Sequence, residues 1–453
     1  MEDFEKFSLL ADFYEFTMSN GFFENNKEDS IAYFDVYFRK IPDDGGFAVF
    51  AGLEQVIQYI ENLKFSDEDL DYLREHGNFN EEFLEYLKNF EFSCDIWSFE
   101  EGEIIFPNEP IMIIRGPIIQ VQLMETLILV TLNHQCLIAT KSRRICNVAE
   151  DKKVVEFGAR RAQGYSASIY GARAAFIGGC VGTSNTIAGK MFNIPALGTM
   201  AHSWVQFYEN EYEAFKAYAE VYPDNCNLLI DTYDTLDQGL PKASKVFDEV
   251  VKPKGYRPTG VRLDSGDIAY LSKKVREGLD KAGYEDVPIM ASNSLDEDII
   301  KSLLLQNAKI DSFGVGERLI TAKSDPVFGC VYKLVAVEED GEIVSKIKIS
   351  ENVEKITTPG FKQVFRFYSN EDNSPMADLV TLHHEDYEGT EEVEIFHPVH
   401  TWKRQTLKNY TAVPMLKQIY ENGKLIYQNP DIHEIQNKCK LAVENLWEEH
   451  ICI

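Results

Sequence analysis

The chain has 453 residues, 44% hydrophobic and 26% charged, with a formal net charge of −29. That length and composition describe a soluble globular protein with two domains, or one large barrel carrying an appended domain. The negative excess opposes non-specific binding to nucleic acid or to an anionic membrane, and it admits an anionic small substrate only where arginines cluster locally.

Eight cysteines stand at 94, 136, 146, 180, 226, 330, 439 and 452, with no CxxC pair. Reduced thiols are therefore expected, rather than a disulfide framework or a zinc site. The N-terminal stretch MEDFEKFSLLADFYEF is acidic and lacks a basic-then-apolar signal pattern. The most apolar region, Ile111 to Leu132, is interrupted by Arg115, Gly116, Pro117 and Glu125, too often for a membrane span. The expectation is a cytoplasmic protein with neither a membrane nor a nucleic acid as partner.

In chain order, Asp12–Asn20 reads as a short helix, and IAYFDVYFR (31–39) as a strand ending in Arg39. A Pro/Asp/Gly turn at 42–46 leads to a helix over 52–62, where Leu53, Val56, Ile57 and Ile60 share a face. Ser66 to Asp69 opens another helix with a capping-box pattern. Residues 93–120 read as short strands separated by turns, a compact β subdomain, and 122–136 as a helix.

From about 150 to 340 short apolar strands alternate with amphipathic helices. Strands are expected at 154–158, 193–200, 227–230, 259–263, 288–291 and 311–313. Helices are expected at 211–222, 267–282 and 296–307. Such βα units imply a parallel sheet. Nearly every strand ends in polar, Gly-containing chemistry, as on the catalytic face of an α/β barrel, whereas an open sheet gathers its ligand residues at one switch point. The fold expected is therefore α/β, an irregular TIM-like barrel over 146–340. A discontinuous N-terminal α/β domain (1–145) is completed by the tail (341–453). In the tail, 343–349 and 364–368 read as strands and 432–446 as a helix.

Chemistry concentrates at the strand ends. Gly198-Thr199-Met200-Ala201-His202-Ser203-Trp204 places a histidine beside a hydroxyl; alone, such a histidine is more often a hydrogen-bonded structural residue than a catalytic one. EFGARRAQG (156–164) sets two arginines between glycines, an arrangement suited to phosphate or to salt bridges on an acidic surface. In RLDSGD (262–267), Arg262 and Asp264 share one strand face, as a ligand pair for a polyhydroxylated anion or as an internal ion pair. Asp231-Thr232-Tyr233-Asp234-Thr235 either holds Mg²⁺ or caps the next helix. Gly314-Val315-Gly316-Glu317-Arg318 exposes backbone N–H groups for an anion or forms an ordinary turn. Arg39, Arg160, Arg262 and Arg318 supply local cations on the acidic chain, and a phosphorylated sugar at the barrel mouth unites them.

Taken together, DFYEFTM (12–18), EFGARRAQG (156–164), GTMAHSW (198–204), LIDTYDT (229–235), RLDSGD (262–267) and FGVGERL (313–319) resemble nicotinate phosphoribosyltransferases, in the family's order. The resemblance implies a type II phosphoribosyltransferase joining nicotinate to phosphoribosyl pyrophosphate. The products are nicotinate mononucleotide and pyrophosphate, with ATP as co-substrate and Mg²⁺ as cofactor; no metal ligand is assigned. It implies that His202 is the phosphohistidine, and that Arg160 and Ser203 lie near the nicotinate carboxylate and phosphates. Phe157 and Tyr14 would sandwich the pyridine, and Arg262 and Asp264 would flank base and ribose beside Asp231. Gly314, Gly316 and Arg318 match the 5′-phosphate loop. Tyr14 and Arg39 would come from a second subunit, hence a homodimer. Glu317 departs from the pattern, since an acid beside a phosphate is unfavourable unless it turns away. The alternatives are a nicotinamide-using enzyme, or a non-catalytic binding protein on the same fold.

Overall fold

The computed structural model describes residues 7–349, 351, 356–398 and 400–447. The chain forms two compact units, one from Met1–Leu137 with Val327–Ile453 and the other from Ile138–Pro326.

In the first unit a seven-stranded sheet runs in the order Glu342–Ser345, Val331–Glu339, Ile31–Tyr37, Met112–Pro117, Asp95–Ser98, Lys417–Glu421 and Lys424–Leu425. All its neighbours are antiparallel. Arg115 ties three strands together, pairing with Asp95 and with Glu338 at 2.7 Å each. The strands expected to form a β subdomain over 93–120 instead join this sheet, except Ile104–Ile105, which pairs with Ala48–Val49. The reason is burial: Ile96, Ile113 and Ile114 are 0–1% exposed, which a small separate sheet could not achieve. The strand expected over 343–349 covers only Glu342–Ser345, since the ladder with Val331–Glu339 ends at Ser345.

The first helix is Phe13–Glu24, capped by a box between Asp12 and Glu15. The expected 122–136 helix is longer, Glu125–Val148. The helical stretch Ile118–Val148 is long and apolar enough to cross a membrane. Much of it is buried within the protein, with 118–124 and 135–142 buried without a break, as on a core helix. The seven described cysteines are all buried.

The second unit holds a five-stranded parallel sheet, ordered Lys153–Glu156, Ser312–Val315, Ile289–Ser292, Gly260–Leu263 and Asn227–Leu229. Val261, Leu263, Ile289, Ala291, Phe313 and Val315 are fully buried, as strands of a parallel sheet must be. Asp267 caps the helix Ile268–Lys281 through Tyr270 N–H, and Asp296 caps Glu297–Leu305 through Ile299 N–H. The helix Ile268–Lys281 buries Ala269, Ser272, Val275 and Leu279 on one stripe. Burying Val275 and Leu279 stabilises by about 1.5–3 kcal/mol each.

The strand expected over 193–200 does not form. Asn193 ends the helix Thr186–Phe192 in the left-handed conformation (φ 55), and Pro195 has no N–H to give a ladder. What remains is a single parallel bridge, Thr183 to Ala196, beside another from Thr183 to Glu156. Of residues 193–197 only Ile194 is buried, so the run is not a core strand.

Candidate active site

The C-terminal ends of the parallel strands gather the reactive side chains of the second unit. His202 begins the short helix His202–Phe207. Its ring is held on both sides: Nδ1 lies 3.0 Å from the Thr232 hydroxyl, and Nε2 lies 3.7 Å from Asp264 Oδ2. His202 and Asp264 side chains are each 37% exposed, open enough to meet a substrate.

Asp264 is fixed from behind. The Ser292 hydroxyl donates to its Oδ1, and its backbone N–H donates to Asp231 Oδ2 at 2.6 Å. The same Asp231 oxygen accepts the Ser265 hydroxyl at 2.7 Å. Gly266 (φ 78) supplies the left-handed turn that lets the chain double back into the next helix. Asp231 is buried, and its Oδ1 has no hydrogen-bond partner. The Asp231–Thr235 cluster is thus divided: Asp231 braces the neighbouring strand end, and Asp234, not Thr235, caps the helical turn Thr235–Gly239.

Arg262 spans a gap. Its Nη1 donates to the Thr199 hydroxyl at 3.1 Å and its Nη2 to the Met200 carbonyl at 2.7 Å, while its buried Nε has no hydrogen-bond partner. Burial pushes its guanidinium pKa down, and the carboxylates of Asp264 and Asp231 pull it back up. Leu263 between the two points into the core, as strand alternation requires.

On the other side of the sheet Phe157 follows the strand Lys153–Glu156, and its N–H donates to the Val315 carbonyl at 2.7 Å. Its ring lies over Gly314, where an added methyl would come within 2.5 Å of a ring carbon. Gly316 faces the Phe157 carbonyl, 3.0 Å from where a Cβ would stand. Both glycines are therefore required by close approach. Glu156 is buried, accepting the Gly158 N–H and, at 2.6 Å, the Thr183 hydroxyl. Burial pushes its pKa up and those two donors oppose the rise. Arg160 is exposed in the turn Ala159–Arg161 and close enough to act on the charge of Arg262.

Several expected residues stand differently. Arg318 donates to Asp296 and is one half of an ion pair, not a free cation. Glu317 turns away from the glycine loop, pairing with Lys323 at 2.8 Å and Arg161 at 3.7 Å, and Lys323 lowers its pKa. Ser203 is exposed in the first turn after His202. Tyr14 and Arg39 belong to the first unit. Tyr14 is 44% exposed on the helix Phe13–Glu24, with burial and the Glu125 carboxylate raising its pKa. Arg39, two residues beyond the strand Ile31–Tyr37, lies 5.7 Å from the Tyr37 ring centroid, its Nε buried without a partner. Thr232, Thr199, Ser292 and Thr183 went unassigned in the sequence. Three follow reactive strands or turns, but a hydroxyl's partner is set by the fold.

Family models for the nicotinate phosphoribosyltransferase N-terminal domain, family and C-terminal domain match residues 9–133, 152–366 and 361–452. The chain is 46% identical over 446 residues to the nicotinate phosphoribosyltransferase of Bacillus subtilis, covering 98% of this chain and 90% of that one. The crystal structure of human nicotinic acid phosphoribosyltransferase superposes with a TM-score of 0.86 at 26% identity, covering 97% of this chain and 95% of the other. A nicotinate-nucleotide pyrophosphorylase from Pyrococcus furiosus superposes at 0.73 with 25% identity, covering 100% and 98%. With the strand-end site in place and its motifs matched along nearly the whole length, the chain belongs to the nicotinate phosphoribosyltransferase family.

Proposed function

We propose that the chain joins nicotinate to phosphoribosyl pyrophosphate, forming nicotinate mononucleotide and pyrophosphate, a step of NAD synthesis coupled to ATP hydrolysis. The observation that carries this reading is the convergence of Arg262, Asp264 and Asp231, in or just after neighbouring strands, with His202 at the start of a short helix, each held by hydrogen bonds. The pyridine nitrogen of nicotinate is a free nucleophile, so no general base is required. Its lone pair attacks the ribose C1 carbon, the bond from C1 to pyrophosphate breaks, and the electron pair leaves with the pyrophosphate. Catalysis is then positioning plus stabilisation of the departing charge. Phe157 supplies a face for the pyridine ring, Arg160 a cation for its carboxylate, and Arg262 with Asp264 flanks the ribose.

ATP enters through His202. Its γ-phosphoryl group transfers to a ring nitrogen, ADP leaves, and water later releases the group as orthophosphate. Thr232 and Asp264 hold the ring for that transfer. Mg²⁺ fits as an ion arriving on the phosphates: Asp231 Oδ1 is buried and unpartnered, and no three-residue metal cluster exists among the described residues. Bound with Asp231 and phosphate oxygens, it would offset charge on the leaving pyrophosphate.

The parallel sheet is read as an irregular barrel. Thr183 and Ala196 extend one edge, while Arg262 and the His202–Thr232 contact bring residues 199–202 to the other. A homodimer supplies Tyr14 and Arg39 in trans; exposed Phe13, Tyr14 and Met18 on one helix support an interface there. The cytoplasm is the expected location.

A product assay offering nicotinate and nicotinamide in parallel tests the function. Mononucleotide from nicotinate alone is expected; equal or inverted preference overturns the reading.

A further inference from the structure

Glu156 lies at the end of a strand, immediately before Phe157, and is 0% exposed. Its hydrogen bonds form a chain with one possible direction. The Asn185 N–H donates to the Thr183 hydroxyl oxygen at 2.9 Å, which leaves the Thr183 hydrogen for Glu156 Oε2 at 2.6 Å. Oε1 accepts the Gly158 N–H. Both carboxylate oxygens therefore act as acceptors, and neither of these hydrogen bonds offers a carboxyl proton an acceptor in this buried place. The network continues through the Asn185 side chain, which donates to the Ser168 hydroxyl at 2.8 Å and carbonyl at 3.1 Å. Thr183, Asn185 and Ser168 are all buried.

This network surrounds the turn that presents Phe157 and Arg160. The Gly158 N–H held by Glu156 is the pivot: the Arg161 N–H closes the turn onto the Gly158 carbonyl at 2.7 Å. Gly158 is closely packed, since a Cβ there would stand 2.5 Å from Ile320. We propose that Glu156 is a positioning residue, an obligate carboxylate acceptor that fixes the 157–161 turn and so sets how the Phe157 ring and the Arg160 guanidinium meet the base. The proposal rests on the reading of Phe157 and Arg160 as the nicotinate site.

Glu156→Gln keeps the side-chain volume and replaces one acceptor with a donor, so a role in packing alone would leave kinetics unchanged. The expected result is a rise of tenfold or more in KM for nicotinate, with KM for phosphoribosyl pyrophosphate changed less than threefold. Thr183→Val, which removes one donor to Glu156 without changing shape, raises the nicotinate KM at least threefold in the same selective way. It decides the matter if the Gln variant does not fold. An unchanged nicotinate KM in the folded variants, or one rising in step with the other substrate's, overturns the proposal. Phe157→Ala separates the two layers. If it leaves the nicotinate KM unchanged, the base-site reading fails and the proposal falls with it. If it raises that KM while Glu156→Gln does not, only the role of Glu156 falls.

Discussion

Gly314→Ala tests the proposed nicotinate face, the packing of Phe157 on Gly314, with a single methyl group. The new Cβ would stand 2.5 and 2.6 Å from two carbons of the Phe157 ring and 3.3 Å from Ser292 Cβ. Carbon atoms in ordinary contact are separated by about 3.5–4.0 Å, so the ring must retreat by roughly 1 Å. The backbone at Gly314 is not in the left-handed region, so the cost is steric alone. Overpacking of this kind costs about 1–3 kcal/mol. If it is expressed in how the ring meets the pyridine, kcat/KM for nicotinate falls by roughly five- to a hundredfold, at about 1.4 kcal/mol per tenfold. Steady-state kinetics with each substrate varied in turn gives the answer, with thermal melting to verify folding. A kcat/KM for nicotinate within twofold of wild type would refute the argument. A rise confined to the KM of phosphoribosyl pyrophosphate would mean that the glycine serves the phosphate and not the ring.

Three other substitutions test separate parts of the site and its frame. His202→Ala is expected to abolish ATP hydrolysis and ATP stimulation while slow transfer persists, measured as ADP release and mononucleotide formation; retained stimulation would remove His202 from the phosphoryl role. Arg262→Lys cannot reach both the Thr199 hydroxyl and the Met200 carbonyl, so kcat/KM for phosphoribosyl pyrophosphate should fall at least tenfold, and an unchanged value contradicts the fork geometry. Glu15 is buried, with an unpartnered Oε2, and burial pushes its pKa up to about 7. With the folded pKa raised, its stabilising share is full below the unfolded value of 4.5 and is lost as pH rises through 7. Glu15→Gln should therefore gain in urea stability over wild type between pH 5 and 8, by about 1–3 kcal/mol; a difference independent of pH would sink the assignment.

Much of the molecule follows from local sequence. Alternating apolar runs specify the five parallel strands to within a residue or two, because buried strands need continuous apolar side chains. Asp267, Asp296 and the Ser66–Asp69 box mark helix starts because a short carboxylate or hydroxyl satisfies the first free N–H groups. The motifs at those strand ends and in the 198–204 segment name Arg262, Asp264 and His202, since chemistry of that kind stands out against an apolar background.

Other features depended on partners distant in the chain. The run 193–200 has the composition of a strand, yet Asn193 and Pro195 deny it a ladder, and only its bridge to Thr183 remains. Arg318 reads as a phosphate cation until Asp296, 22 residues away, takes it. Glu317, out of place beside a phosphate, is drawn off by Lys323 and Arg161. Thr232 on His202 and Thr183 on Glu156 are ordinary hydroxyls in sequence, 30 and 27 residues from the groups they hold. Sequence by itself determined which residues are reactive and which segments are apolar, because both are properties of single side chains and their spacing. The tertiary structure alone decided which charges are spent on one another and which stay open to a substrate, because pairing depends on distances between strand ends that no local pattern encodes.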